Sequence, residues 1–303
     1  MSSTAIGRSE SQKQAHQRSV KNPAAFAIMT ALLAVMACYF LFPIVWLLIS
    51  STKDQQALLT TGVLALAKPF SLFHNISTLS TFRGGQYWRW YANTVVYAGV
   101  ISVVSCLFAA MIGYVLTKYK FRGRNVVYWT ILASIMIPGA VTVIPLFILE
   151  RAMGLMDTYF AVILPQLVNP FGAFFMSVYI GGVLSDEILE AARIDGAKDF
   201  RIFFNIVLPV IRPGVVTLLL IVFIGAWNNF FLPFLVLSKT SLFPLTVGLS
   251  SWLSEIGQNG QAGIDWYALV ITGATLSILP MLILFPFLSR YIASGLSQGS
   301  LKM

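Results

Sequence analysis

Long apolar runs alternate with short charged segments along most of this 303-residue chain. Six stretches lack Asp, Glu, Lys, Arg and His, and each exceeds the about 20 residues that a helix needs to cross a bilayer core. They are 22–52, 90–117, 125–149, 158–185, 213–238 and 266–289. Two other apolar runs, 55–67 and 240–254, are too short to span. The pattern predicts an all-α polytopic membrane protein with six transmembrane helices.

The predicted spans lie inside these stretches, at about 24–50, 91–117, 125–148, 158–182, 213–237 and 267–288. Together they form a transmembrane domain over 22–289, preceded by a tail at 1–21 and followed by a tail at 290–303. The first stretch is too long for a signal-peptide core, so we expect a retained helix. Composition agrees, because the chain is 57% hydrophobic and 10% charged, with a mean hydropathy of +0.80. A soluble domain of this length is not so apolar.

Basic residues predict the orientation of the spans. With the N-terminus inside, the inner segments hold 14 of the 20 Lys and Arg residues and the outer segments hold 6. Cytoplasmic loops carry such an excess, so both termini and the loop at 183–212 are predicted to be cytoplasmic. The net charge of +9 is then a topology signal, and no nucleic-acid partner is predicted.

The spans lack the residues that catalysis or ion coupling needs. No G-x-x-x-x-G-K-[ST] loop is present, so we expect no ATP hydrolysis by a P-loop in this chain. His16 and His74 lie outside the spans, and no carboxylate falls within one, which argues against a proton-driven carrier and a membrane hydrolase. Cys38 and Cys106 lie in apolar stretches without metal or disulfide spacing. No catalytic residue, cofactor or metal site is predicted.

One charge-rich segment, 183–212, separates the fourth and fifth spans. Ser185 is placed to cap a first helix, and Gly196 is placed to end it in a left-handed conformation. A second helix is predicted from about Ala197, stopping at Pro209. The segment therefore predicts a helical hairpin on the cytoplasmic side.

The first helix of this hairpin has the features of a docking element. Ala191 and Ala192 are small enough for another backbone to approach closely, and Glu190 offers a carboxylate to an arginine. Residues 190–209 fit the pattern E-A-A-x3-G-x9-I-x-L-P. This pattern resembles the cytoplasmic loop of permease subunits in binding-protein-dependent ABC importers. The extended form E-A-A-R-I-D-G-A is similar to the carbohydrate branch, which includes the smaller permease of the maltose importer.

Two further motifs carry the same resemblance. Trp227–Pro233 reads W-N-N-F-F-L-P, similar to the W-N-[DN]-F-x-x-P run of carbohydrate permeases, with Asn229 where Asp is common. The chain end resembles the family's Gly-Leu-x-x-Gly-x-x-Lys ending at Gly295, Gly299 and Lys302, although Met303 replaces the usual final glycine. The resemblance covers nearly the whole chain after residue 24.

Prolines and amides within the spans are candidates for lining a solute path. Proline frees backbone carbonyls, which are tolerated in a membrane only beside protein or a wet cavity. Adjacent amides are costly in hydrocarbon for the same reason. The candidates are Pro138, Asn169, Asn228 and Asn229.

The resemblance implies a type I ABC importer permease-like fold, with a cytoplasmic coupling helix between helices 4 and 5. It assigns ATPase coupling to Glu190, Ala191, Ala192, Arg193, Asp195 and Gly196. It also places the C-terminal tail (Gly295, Gly299, Lys302) against the ATPase.

Further components follow from the same resemblance. The implied partners are a second related permease, two ATP-binding-cassette ATPase subunits that bind the ATP, an extracytoplasmic solute-binding protein that touches the loop at 239–265, and membrane lipid. The implied location is a bacterial or archaeal cell (inner) membrane, with multiple passes. A stand-alone facilitative channel or carrier is the alternative. The carried solute, whether sugar, polyol, glycerol phosphate or oligosaccharide, stays open.

Overall fold

The computed structural model describes residues 23–259 and 264–299, with the backbone alone at 257–259, 285 and 287–299. Every regular element in these residues is helical, which confirms the predicted all-α class. The chain divides into two compact units, the first ending at Leu72 and the second beginning at Phe73. The predicted tail at 1–21 lies outside the described residues.

The first unit contains α1 (Pro23–Ser50) and the short α2 (Gln55–Thr60). α1 is apolar on all sides and nearly all of its side chains are exposed, which is the pattern of a helix surrounded by hydrocarbon. Lys53 follows α1 and is only 2% exposed, and its Nζ donates a hydrogen bond to the Gly62 carbonyl at 2.9 Å.

From Leu72 onward the helices follow one another through short connections. They are α3 (Leu72–Thr81), α4 (Gln86–Lys118), α5 (Arg124–Ile135), α6 (Gly139–Ala152), α7 (Tyr159–Leu167), α8 (Pro170–Val183), α9 (Asp186–Ile194), α10 (Asp199–Val210), α11 (Arg212–Trp227), α12 (Phe231–Val236), α13 (Leu245–Asn259) and α14 (Trp266–Gly299). α10 contains a π-helical turn, and short 3-10 turns precede α4 and α13.

The 33-residue α4 is the centre of the second unit and packs against α7, α8 and α11. It approaches the backbone of α8 closely at Gly113. A Cβ on Gly113 would lie 2.8 Å from backbone atoms of Met176 and Ser177. Beside it, the Thr117 hydroxyl donates to the Ser177 carbonyl at 3.1 Å. Small residues that allow such contact are what associates helices in lipid.

Four segments of the described chain are long and apolar enough to cross a bilayer. They are Pro23–Ser50, Gln86–Lys118, Tyr159–Val183 and Trp266–Leu284. Two bent pairs raise the number to six if each is one span: α5 with α6, bent by 105°, and α10 with α11, bent by 81°. The helical membrane class predicted from the sequence is therefore confirmed.

Three of the predicted spans are broken rather than continuous, and one of them, 158–182, is interrupted between Leu167 and Pro170. α5 gives way to α6 at Pro138, where the sequence predicts a bend. The predicted span 213–237 is interrupted between Trp227 and Phe231, because Pro233 cannot extend the helix backward. Its ring lacks an N–H and clashes with the carbonyl four residues earlier, at Asn229.

Candidate functional site

The segment 183–212, called the coupling segment below, folds into α9 and α10 joined by a glycine turn. Gly196 has φ +78°, and its N–H donates to the Arg193 carbonyl at 3.0 Å. The Ala197 N–H donates to the Ala192 carbonyl, also at 3.0 Å. These two bonds form a Schellman C-cap. Gly196 thus ends α9, as its position in the sequence predicts.

The beginning of α9 differs from the expectation. Ser185 occupies the N-cap position but makes no capping hydrogen bond with its side chain. The pKa of Glu187 is lowered by a hydrogen bond from its own backbone N–H and, to a smaller extent, by one from the Ser185 hydroxyl. Asp186 bonds the Lys118 ammonium at 2.6 Å, and this cation holds the pKa of Asp186 below its usual range.

The two alanines of the motif lie on opposite faces of α9. Ala192 is buried with Leu189 in the core of the chain, at helical i, i+3 spacing, whereas Ala191 is exposed. Ala192 therefore cannot offer its small side chain to a partner backbone in this structure. Of the two residues expected to meet a partner closely, only Ala191 is available.

The outer face of the coupling segment combines acidic and large apolar side chains. Glu187, Glu190 and Ile194 are exposed on one side of α9, with Ile194 86% exposed. Phe200, at the start of α10, is 72% exposed. A docking role of these exposed side chains stays a prediction. The sequence analysis missed Phe200; an aromatic residue directly after a helix-starting Asp in a polar loop was the available signal.

Arg193 is turned toward its own chain. Its guanidinium lies 5.5 Å from the centre of the Tyr119 ring, and bonding to Tyr119 raises the pKa of Arg193. The Tyr119 hydroxyl donates to Asp199 Oδ1 at 2.6 Å, and burial together with this bond raises the pKa of the phenol. Glu190 and Arg193 line an open cleft of about 510 Å³ beside these groups. Asp195, the C-cap of α9, is exposed.

The four path candidates lie at helix ends. Pro138 precedes α6 at the 105° bend. Asn169 caps α8, with its Oδ1 accepting from the Gly172 N–H at 2.9 Å, and Asn228 Nδ2 donates to the Ile224 carbonyl at 2.9 Å. The Asn229 carbonyl accepts from the Thr246 hydroxyl at 2.7 Å. The side chains of Asn169 and Asn228 thus bond backbone groups at the ends of their own helices. The place of these residues on a solute path stays a prediction.

Glu150 is a buried carboxylate at the end of a helix that is longer than the sequence predicts. The charge-free stretch ends at residue 149, but α6 continues to Ala152, so the membrane helix pair includes this carboxylate. Glu150 is 2% exposed, and among the described residues neither carboxylate oxygen has a hydrogen-bond partner. Glu150 is thus a buried carboxylate just beyond the predicted span 125–148.

The chain end is helical for longer than the sequence predicts. α14 continues through Pro286 to Gly299, so residues 290–299 extend the last helix where a tail is expected. Gly295 and Gly299 lie on this helix, and Lys302 lies outside the described residues. Their contact with an ATPase stays a prediction.

This chain is similar to known transport proteins over most of its length. A family profile described as "Binding-protein-dependent transport system inner membrane component" matches residues 102–298. The chain is 37% identical over 276 residues to the arabinooligosaccharides transport system permease protein AraQ of Bacillus subtilis, covering 90% of this chain and 95% of that protein. The protein of the same name from Halalkalibacterium halodurans is 36% identical over 280 residues, with coverage of 91% and 96%.

A more distant relative and a solved structure agree. The diacetylchitobiose uptake system permease protein NgcG of Streptomyces coelicolor is 31% identical over 283 residues, covering 91% of this chain and 89% of that protein. The crystal structure of a bacterial ABC transporter involved in the import of the acidic polysaccharide alginate contains a similar chain. The two share 26% identity and a TM-score of 0.77, over 89% of this chain and 98% of the other.

Proposed function

This chain belongs to the binding-protein-dependent transport system inner membrane components and is a permease subunit of an ABC importer, and on that premise we propose that it carries a short neutral oligosaccharide. The observation that carries the proposal is the similarity to two arabinooligosaccharide permeases over at least 90% of the chain. Family membership also sets aside the stand-alone channel or carrier.

The polar groups at the candidate path suit such a solute. Asn169, Asn228 and Asn229 are neutral amides, which both donate and accept hydrogen bonds and therefore match sugar hydroxyls. We propose arabino-oligosaccharides as the first substrate to test. Diacetylchitobiose and lactose, named for other relatives, are the next.

Permeases of this family work with ATPase and binding-protein components. The proposed assembly has this chain, a second related permease, two ATPase subunits that hydrolyse ATP, and an extracytoplasmic binding protein. The ATPase would dock on the face with Glu187, Glu190, Ile194 and Phe200. Glu190 would pair there with an arginine, because a planar guanidinium matches a carboxylate. ATP binding and hydrolysis would switch the ATPase between two arrangements. Each arrangement would bind one state of the permease more tightly than the other and so shift the permease toward that state.

The test of this function is reconstitution. The chain, co-expressed with the second permease and the ATPase subunit of the same transporter, is expected to co-purify with both. In proteoliposomes with the binding protein, labelled arabino-oligosaccharide should accumulate only with ATP. Accumulation without the ATPase would restore the stand-alone carrier, and ATP-dependent uptake of a different sugar alone would overturn the substrate class.

The membrane orientation gives a separate prediction. With the coupling segment cytoplasmic and α13 outside, single cysteines at the exposed Ser185 and Ser254 should label oppositely with an impermeant thiol reagent added to whole cells. Ser254→Cys is expected to react and Ser185→Cys to react only after permeabilisation, in a background lacking Cys38 and Cys106. Labelling of both from outside would contradict the topology.

A further inference from the structure

α4 is long enough to connect the two faces of a membrane. Its 33 residues extend about 50 Å at the helical rise, more than the about 30 Å of a hydrocarbon core. Each end of α4 makes several polar contacts, and the two ends contact different segments of the chain. In the function proposed above, one of these segments meets the ATPase and the other belongs to the loop that meets the binding protein. The inner end holds the coupling segment, and the outer end holds the residues that lead into α13.

The inner contacts come from two consecutive residues. Lys118 Nζ donates to the Leu184 carbonyl at 2.5 Å and to Asp186 Oδ1 at 2.6 Å, and its side chain is only 8% exposed. Tyr119 bonds Asp199. Lys118 therefore holds the start of α9, and Tyr119 holds the start of α10. Both helices of the coupling segment are attached to the end of α4.

The outer contacts come from one face of α4, from residues spaced i, i+3, i+4 and i+7. These side chains are each at most 3% exposed and are Trp90, Asn93, Thr94 and Tyr97. They bond successive backbone groups of 240–245, at 2.8 to 3.0 Å. Asn93 alone donates to the carbonyls of Ser241 and Phe243.

The same face of α4 also packs directly against α13. Gly248 of α13 lies so close to the Trp90 ring that a Cβ would come within 2.1 Å of it. The segment before α13 has no strand partners in the described structure, so most of its carbonyls are satisfied by these donors. The Thr240 carbonyl also accepts from the Phe243 N–H at 3.4 Å. Breaking the bonds from α4 would leave buried polar groups unpaired. α13 is thereby tied to α4 rather than free to move alone.

We propose that α4 is a strut that transmits movement between the coupling segment and α13, with Lys118 and Asn93 as its positioning residues. This inference rests on the proposed function, in which the coupling segment meets the ATPase and the loop at 239–265 meets the binding protein. Coupling between distant sites needs a rigid element that both sites bias. α4, bonded at both ends and packed along its length, is such an element.

The experiment measures ATP hydrolysis of the reconstituted complex with and without loaded binding protein, and uptake. Lys118→Met removes the two bonds that Lys118 makes and leaves the bond between Tyr119 and Asp199. Asn93→Leu keeps the branched shape in a larger side chain and removes the two outer bonds to Ser241 and Phe243. It also removes the bond that Asn93 Oδ1 accepts from the Tyr159 hydroxyl at 2.7 Å. Each is expected to lower the stimulation by binding protein about fivefold or more, while the ATPase subunit stays bound and basal hydrolysis persists. The double variant is expected to match the single ones, because both lesions interrupt one route.

Two controls keep the outcome interpretable. Arg122→Met removes an exposed charge from the loop after α4, where no described carboxylate lies within salt-bridge distance, and should retain full stimulation. Where Asn93→Leu does not accumulate, Tyr97→Phe removes the single bond to the Leu242 carbonyl and keeps the ring. Lys118→Arg, which keeps the charge and donors, should restore much of the stimulation.

Three results would overturn the strut. Losses that multiply in the double variant would show two independent effects, and loss of the bound ATPase with Lys118→Met would show a docking role only. Equal losses with Arg122→Met would show a charge effect. Failure of the unaltered complex to respond to binding protein would instead count against the proposed function.

Discussion

Replacing Gly196 by valine is expected to abolish ATPase binding and uptake while leaving the chain in the membrane. The backbone at Gly196 has φ +78°, in the region that costs a residue with a side chain about 1–2 kcal/mol, and more when the side chain is β-branched. No atom outside the neighbouring residues lies within 4 Å of the position of a Cβ. The cost therefore arises from the backbone and not from steric obstruction of the turn.

The strain acts where the docking surface is assembled. The Schellman bonds at this glycine set the angle between α9 and α10, and so the relation of Ile194 to Phe200. No predicted span is touched, so insertion should be unaffected. The measurement is retention of the ATPase subunit on affinity-purified permease, together with uptake in membrane vesicles.

Gly154 offers a matched control. It has φ +69° and open space around a Cβ, but it lies between α6 and α7, away from the coupling segment. Gly154→Val carries the same kind of strain and should retain the ATPase. Gly196→Asn, which tolerates the left-handed region, should retain much of the activity. A Gly196→Val complex that keeps both its ATPase and the unaltered uptake rate would show that the turn is a permissive surface feature.

Replacing Gly113 by alanine is expected to destabilise the fold itself. The added carbon would lie 2.8 Å from backbone atoms of Met176 and Ser177, which cannot turn away as a side chain can. Overpacking typically costs about 1–3 kcal/mol, and a backbone neighbour places this change at the upper end. α4 and α8 would have to separate, which would also stretch the bond from Thr117 to the Ser177 carbonyl.

The measurement is the amount of protein in the membrane and its thermal unfolding midpoint after solubilisation. Gly99→Ala is the control, because Gly99 lies on the same helix with no atom within 4 Å of a Cβ. It should leave both quantities unchanged. A Gly113→Ala protein with the unaltered midpoint would mean that the two helices do not meet as closely as described.

The sequence alone determined the class of protein and the position of the glycine that ends α9. In a bilayer the backbone N–H and C=O groups of a long apolar stretch must bond within the chain, and a helix satisfies all of them. The hydrophobic pattern was therefore sufficient for the fold class. Gly196 was identifiable because a helix end in the left-handed region selects glycine. Pro138 was a candidate for a bend because proline removes a helical hydrogen bond, although α14 continues through Pro286.

The tertiary structure decided which side chains each element exposes and joins. Ala191 and Ala192 are indistinguishable in sequence, but packing buries one of them. Glu150 follows a charge-free stretch directly, and only the length of α6 places it in the membrane helix pair. The contacts of Lys118 and Asn93 join residues 66 to 150 positions apart. Periodicity describes neighbours along one helix, whereas these contacts depend on how several helices pack together.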